Sequence, residues 1–265
     1  MRDTHRMTLL IATDAAGTRR ITLDRPEKHN AFDAGTIAEL TAAFEDASAN
    51  PTVRAVVLTG NGPSFCAGAD AAWMRASADL SEAENQADAM RLSDMLATID
   101  SCAKPVIAVA HGNVFGGGVG LVACADLVIV RPGVKFRLSE VRLGLIPATI
   151  GPFVLAKIGA SAARRWFLTA EDFGAEAAVA MGLAHVVTDD PEAQIAAWLD
   201  ALHQGAPGAI ADAKRLIGDL YGQPVIPALR ADTATRIALR RASDEGREGL
   251  AAFIERRKPG WTPGP

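Results

Sequence analysis

One acid and two glycine-bearing turns are the parts of this chain best suited to chemistry. Glu140 is a single acid in a mostly apolar segment, Ser139-Glu-Val-Arg-Leu-Gly-Leu-Ile-Pro147. Apolar surroundings hold a carboxyl group toward its neutral form, which suits it to exchange protons near neutral pH. As an acid beside Ser139 it would instead serve a helix N-terminus. The stretch His111-Gly-Asn-Val-Phe-Gly-Gly-Gly-Val-Gly120 carries three successive glycines. Glycine lets a backbone approach its neighbour closely and take angles that side chains forbid. If the chain is helical from Leu121 onward, the N–H groups just before it offer an oxyanion or anion site. A tight turn between two buried elements would use the same glycines. Ser64-Phe-Cys-Ala-Gly-Ala-Asp70 is a second turn of this kind, open to a ligand lying against the backbone or to a plain strand-to-helix connection. Asp70 is placed to start the following helix, and in second place to touch a substrate.

A third group is basic. The loop Asp24-Arg-Pro-Glu-Lys-His-Asn30 gathers Arg25, Lys28 and His29, which suits a phosphate contact or a solvated loop. His29, His111, His185 and His203 have no matched nucleophile in sequence, so loop and surface roles are expected. Cys66, Cys102 and Cys124 are too scattered for a disulfide or metal framework. They read as small buried thiols in a reducing compartment. No metal site is expected.

The elements that must position these groups can be read from periodicity. Runs 8–13 and 19–23 flank Asp14-Ala-Ala-Gly17 as a β-hairpin. Asp33 caps a helix reaching residue 49, with Ile37, Leu40, Phe44 and Ala47 at helical spacing. Residues 53–59, 105–110 and 126–130 read as buried strands. Ser81-Glu-Ala-Glu84 is a capping box opening a helix whose apolar face is Met90, Met95, Leu96 and Ile99. A short helix follows at 118–124. Beyond 151 the chain is mostly helical, with one short strand at 184–187. The last helix, 244–257, places Leu250, Phe253 and Ile254 on one face, which suggests packing on the core or on another subunit.

The whole chain sets the remaining bounds. Its 265 residues suffice for one large domain, or a core with an appendage. Hydrophobic residues are 49% and charged residues 22%, ordinary for a globular protein. A net charge of −4 gives no electrostatic case for nucleic acid. The polar N-terminus, residues 1–6, has no apolar signal core, and no apolar run reaches membrane-spanning length, so a cytoplasmic location is expected.

Taken together, the sequence resembles the enoyl-CoA hydratase/isomerase (crotonase) family over nearly its whole length. The resemblance rests on Leu23-Asp-Arg-Pro-Glu-Lys-His-Asn-Ala31, Ser64-Phe-Cys-Ala-Gly-Ala-Asp70, His111 to Gly120, Ser139 to Pro147 and Glu245-Gly-Arg-Glu-Gly-Leu-Ala-Ala-Phe253, in family order. It implies an α/β fold of repeated ββα units, residues 1–200, with a helical C-terminal trimerisation region, residues 201–265. It implies a homotrimer or dimer of trimers acting on an acyl-CoA substrate, with coenzyme A as part of the thioester and no tightly bound cofactor.

By the same resemblance the N–H groups of Ala69 and Gly117 hold the thioester carbonyl, and Glu140 exchanges the proton. Arg25, Lys28, Ala67 and Asp70 border the coenzyme, and Arg256 and Lys258 reach a phosphate. Trp73, Arg75, Phe115, Gly120 and Pro147 line the acyl pocket. Many hydratases of the family carry a second glutamate where this chain has Gly120. Around Phe115 to Cys124, Leu138 to Ala148 and Ser81 to Asn85 the sequence looks like the bacterial methylglutaconyl-CoA hydratase branch, in which glycine at that place is not foreign. That implies a substrate with a second carboxylate, for which Arg75 is the candidate cation. A double-bond isomerase using Glu140 alone, and a non-catalytic acyl-CoA-binding protein, are the alternatives.

Overall fold

The computed structural model describes residues 7–262, so the polar stretch 1–6 lies outside the described residues. Strands β1 (Leu9–Thr13) and β2 (Thr18–Leu23) form the expected hairpin, its turn held by Asp14 accepting from the Ala16 and Thr18 N–H groups. Helix α1 (Ala34–Ala49) starts where predicted, with the Asp33 side chain accepting from Thr36 N–H.

Three successive segments then repeat one pattern. Strand β3 (Ala55–Gly60) leads to β4 (Ser64–Cys66), helix α2 (Ala71–Ser77) and helix α3 (Glu82–Asp100). Strand β5 (Val106–Ala110) leads to β6 (Asn113–Phe115) and α4 (Gly117–Ala123). Strand β7 (Leu127–Val130) leads to β8 (Lys135–Arg137) and a 3₁₀ turn, Glu140–Leu143. Each segment gives its first strand to one sheet and its second to another.

The large sheet runs β1-β2-β3-β5-β7-β9, where β9 is Val186–Val187, and all its pairings after the hairpin are parallel. The small sheet, β4-β6-β8, is also parallel. This is the expected repeat of ββα units. The short strands β4 and β6 were not separable in sequence from the glycine turns they enter, because three residues show no period.

Strand alternation sorts the core. Val56, Leu58, Ala108 and Val130 point to one face of the large sheet, against Leu40 and Phe44 of α1 and Met95, Leu96 and Ile99 of α3. Val57, Ile107 and Ile129 point to the other face, against Ile195 and Trp198 of α7 (Pro191–His203), which follows α5 (Gly151–Thr169) and α6 (Ala175–Ala180). With both faces covered, the strands read as continuous apolar runs rather than alternating ones. Met90, expected on the apolar face of α3, is exposed instead.

The tail is α8 (Pro207–Leu220), α9 (Pro227–Ala242) and α10 (Asp244–Glu255). Lys214 of α8 ties it to the core through Asp126, 2.7 Å away. The face of α10 formed by Leu250, Phe253 and Ile254 does not pack on the core: Phe253 is 83% exposed.

Candidate active site

The small sheet exists to bring the two glycine turns together. Pairing of β4 with β6 aligns Cys66 with Val114, so the turns that follow them lie side by side. A Cβ at Gly68, where φ is +90°, would lie 2.9 Å from Phe115 O and 3.5 Å from Gly117 N. A Cβ at Gly118 would strike the Cys66 carbonyl. The glycines are therefore required by close backbone approach as well as by angle. Among the described residues, neither the Ala69 nor the Gly117 N–H has an acceptor. Both residues are partly accessible, so the two donors are open to solvent or to a ligand.

Gly117 rests on Phe32. A Cβ at 117 would collide with the Phe32 ring, which is 1% exposed. Phe32 also bridges the first turn, donating its N–H to Gly68 O and accepting from Asp70 N–H. Sequence reasoning missed this residue. Its only signal is an aromatic directly after the basic loop, with no period to mark it.

Glu140 heads the 3₁₀ turn after β8, and β8 pairs with β6, which brings the acid to the second glycine turn. A Cβ at Gly116 would lie 3.3 Å from Glu140 Oε1. Glu140 Oε2 is enclosed and has no hydrogen-bond partner. Burial pushes this carboxyl above its ordinary value, a shift its own backbone hydrogen bond only partly opposes. It is not a simple helix-terminus acid.

Gly120 is different. It is buried in α4, and a Cβ there would lie 2.6 Å from Ile150 Cγ2 and 3.5 Å from Leu96 Cδ2. The position expected to border the substrate is filled from the far side by an aliphatic side chain. Pro147 is also buried, whereas Phe115 is partly buried under the Arg137 guanidinium, 5.0 Å from the ring centroid.

A cleft of about 590 Å³ opens beside the first turn, lined by Arg25, Lys28, Asp33, Asp70, Ala72 and Trp73 among others. Trp73 stands 6.3 Å from the Phe32 ring, centroid to centroid. Arg25 is not the free phosphate contact that its type suggested. Its side chain is 16% exposed and pairs with Asp33 at 3.0 Å and Asp70 at 3.2 Å. Lys28 is 55% exposed and only 3.9 Å from Asp70. Asp70 is spent on the fold, since it also caps α2 through Ala72 N–H. Ala67 gives its N–H to His29 O. Arg75 is exposed on α2. Arg256 and Lys258 are exposed where α10 ends and do not line the cleft.

The other candidates are quiet. Cys66, Cys102 and Cys124 are buried free thiols, and burial pushes Cys66 up to about 12. His111 Nε2 is 3.0 Å from Gly62 O, and His185 Nδ1 accepts from Val128 N–H. Among the described residues no cluster of three or more His, Cys, Asp or Glu is placed to hold a metal, and no helix is long and apolar enough to cross a membrane.

Comparison with known proteins gives the chain a family. The family model described as enoyl-CoA hydratase/isomerase matches residues 13–264. A probable enoyl-CoA hydratase of Rhodobacter capsulatus is 34% identical over 251 residues, covering 93% of this chain and 95% of that protein. An enoyl-CoA hydratase of Alternaria alternata is 40% identical over 204 residues, covering 76% of this chain but 66% of its own length, a little under two thirds. The crystal structure of an enoyl-CoA hydratase from Shewanella pealeana superposes with a TM-score of 0.94 at 39% identity, covering 98% of this chain and 97% of that one.

Proposed function

The chain belongs to the enoyl-CoA hydratase/isomerase family, and from that premise we propose that it adds water across an α,β-unsaturated acyl-CoA, of the methylglutaconyl type. The observation that carries this reading is the meeting of two acceptor-free N–H groups, Ala69 and Gly117, with an enclosed and unpartnered carboxyl oxygen of Glu140. In the proposed step Glu140, as carboxylate, takes a proton from water while the water oxygen bonds to C3. The C2=C3 electron pair moves toward the thioester, and the charge on its oxygen is met by the two N–H groups. Glu140 then returns the proton to C2 and the carbonyl re-forms. Fixed donors aimed at a developing oxyanion are commonly the largest catalytic term, about 2.7–4 kcal/mol each. Coenzyme A enters only as part of the substrate.

Hydration with a single acid needs something else to orient water. A substrate carrying its own second carboxylate would supply that, with Arg75 as the cation that receives it. Lys28 is the better candidate of the basic loop for the nucleotide end of the coenzyme, given that Arg25 is already paired. The exposed apolar face of α10 supports assembly of the helical tail, residues 201–265, into a homotrimer or dimer of trimers.

The second reading is a Δ3,Δ2-enoyl-CoA isomerase, favoured by the aliphatic filling at Gly120, because one group that removes and returns a proton suffices there. A panel of 3-methylglutaconyl-, crotonyl- and 3-hexenoyl-CoA with products identified by mass spectrometry separates the two. Hydration confined to the glutaconyl ester is expected. Equal hydration of crotonyl-CoA removes the role of the second carboxylate, and a shifted double bond with no added water favours the isomerase.

A further inference from the structure

The two donor-bearing turns follow the ends of β4 and β6, and a polar relay joins the starts of those strands to the basic loop. Ser64 opens β4, is fully buried, and stands in register with Asn113 of β6. Asn113 Nδ2 donates to Ser64 Oγ at 3.2 Å, and His29 Nδ1 lies 3.0 Å from the same oxygen. Around them, Asn30 Nδ2 donates to Ser64 O, and Ala67 N–H donates to His29 O. The loop that carries Lys28 is thus tied to the first turn on one side and, through Ser64, to the second turn's strand on the other.

The donor inventory fixes the direction of this relay. An asparagine amide nitrogen only donates, so Ser64 Oγ accepts from Asn113. The buried hydroxyl hydrogen must then find an acceptor, since leaving it unpaired is costly. Among the described residues the one remaining partner of Oγ is His29 Nδ1. We propose that His29, Ser64 and Asn113 form a positioning relay, with the Nε2–H tautomer of His29 accepting the Ser64 hydroxyl on Nδ1, that holds the Ala69 and Gly117 N–H groups in register for the thioester. None of the three is a catalytic residue, and the proposal rests on the thioester-binding reading given above. It makes His29 a positioning residue despite its exposure on a loop. The backbone at His29 is left-handed, φ +52°, a region that glycine and asparagine also tolerate.

Two measurements test it. Long-range ¹H–¹⁵N spectra of the full chain are expected to show His29 as the Nε2–H tautomer. Asn113→Asp turns the amide donor into an acceptor, takes the serine hydrogen for itself, and is expected to move His29 to the Nδ1–H tautomer. An Nδ1–H tautomer in the unaltered chain, or no response to Asn113→Asp, overturns the relay. For activity, His29→Gly keeps the left-handed backbone but removes the acceptor, and kcat is expected to fall about tenfold or more with KM nearly unchanged. His29→Asn, whose Oδ1 stands where Nδ1 stood and which tolerates the same backbone, is expected to restore most of it. Equal activity in both variants, or equal loss, overturns the role. An unaltered chain that turns over no enoyl-CoA would defeat the thioester reading alone, because the spectra test the relay without any substrate.

Discussion

Ile150 stands against Gly120: a Cβ at residue 120 would lie 2.6 Å from Ile150 Cγ2, and Leu96 closes the same space. Residue 120 is where the family resemblance leads one to expect a second acid, and here an aliphatic plug occupies the volume. Gly120→Glu alone would overpack the core and bury a charge, at a cost of about 3 kcal/mol or more. The expected result is a lowered Tm with no new hydration of crotonyl-CoA. A well-folded Gly120→Glu variant that hydrates crotonyl-CoA would show that the plug yields readily.

Glu140→Gln is expected to lower turnover by about 10²-fold or more while coenzyme A ester binding persists. Its effect on stability has the opposite sign. Burial raises the folded carboxyl above its ordinary 4.5, so the folded chain holds the proton more tightly than the unfolded one. That contribution is complete below about 4.5 and is lost as pH rises through the folded value. At pH 8 the glutamine variant should melt at or above the temperature of the parent, and the gap should close toward acid. A variant that is markedly less stable at pH 8 would contradict an unpaired, buried carboxylate.

The same raised value sets the pH profile. Water activation needs the ionised form, so kcat/KM should rise with pH along a limb centred above 4.5. Stopped-flow or discontinuous assays from pH 4.5 to 8 read that limb directly. A midpoint at or below the ordinary carboxylate value would mean that water or a cation reaches the carboxylate in the free enzyme.

Gly117 and Phe32 are a second contact pair. Gly117→Val would drive the Phe32 ring aside and displace an N–H donor, with an expected loss of about 10²–10³ in kcat. Phe32→Ala would leave a cavity under the turn and cost about 3–5 kcal/mol of stability in a denaturant titration. A Phe32→Ala variant of unchanged stability would show that the turn does not depend on the ring.

In the basic loop Arg25 is paired and mostly buried, whereas Lys28 is exposed, and the proposed coenzyme contact falls to Lys28. Arg25→Ala should lower Tm, because it strips the ion pairs from Asp33 and the buried Asp70. Lys28→Ala should leave Tm within a degree or two and raise KM severalfold for the CoA ester relative to a pantetheine ester. The reverse pattern would return the phosphate contact to Arg25.

Much of this molecule was determined by its sequence alone. The continuous apolar runs of β3, β5 and β7, the Asp33 cap and the Ser81–Glu84 capping box are local signals, because period and hydrogen-bond pairing along the chain produce them directly. The two glycine turns and Glu140 could be nominated by type. What only the tertiary structure decided is which groups meet and which are already used. Parallel pairing in the small sheet sets the Ala69 and Gly117 turns side by side, and three-residue strands are too short to show that pairing in the sequence. Arg25 is paired with Asp33 and Asp70, and Gly120 is enclosed by Ile150, the residue that caps the start of α5. Spacing along a chain constrains neighbours within a turn or a strand. The neutralisation of a charge and the filling of a void depend on side chains brought in from elsewhere, and these are fixed only when the elements pack.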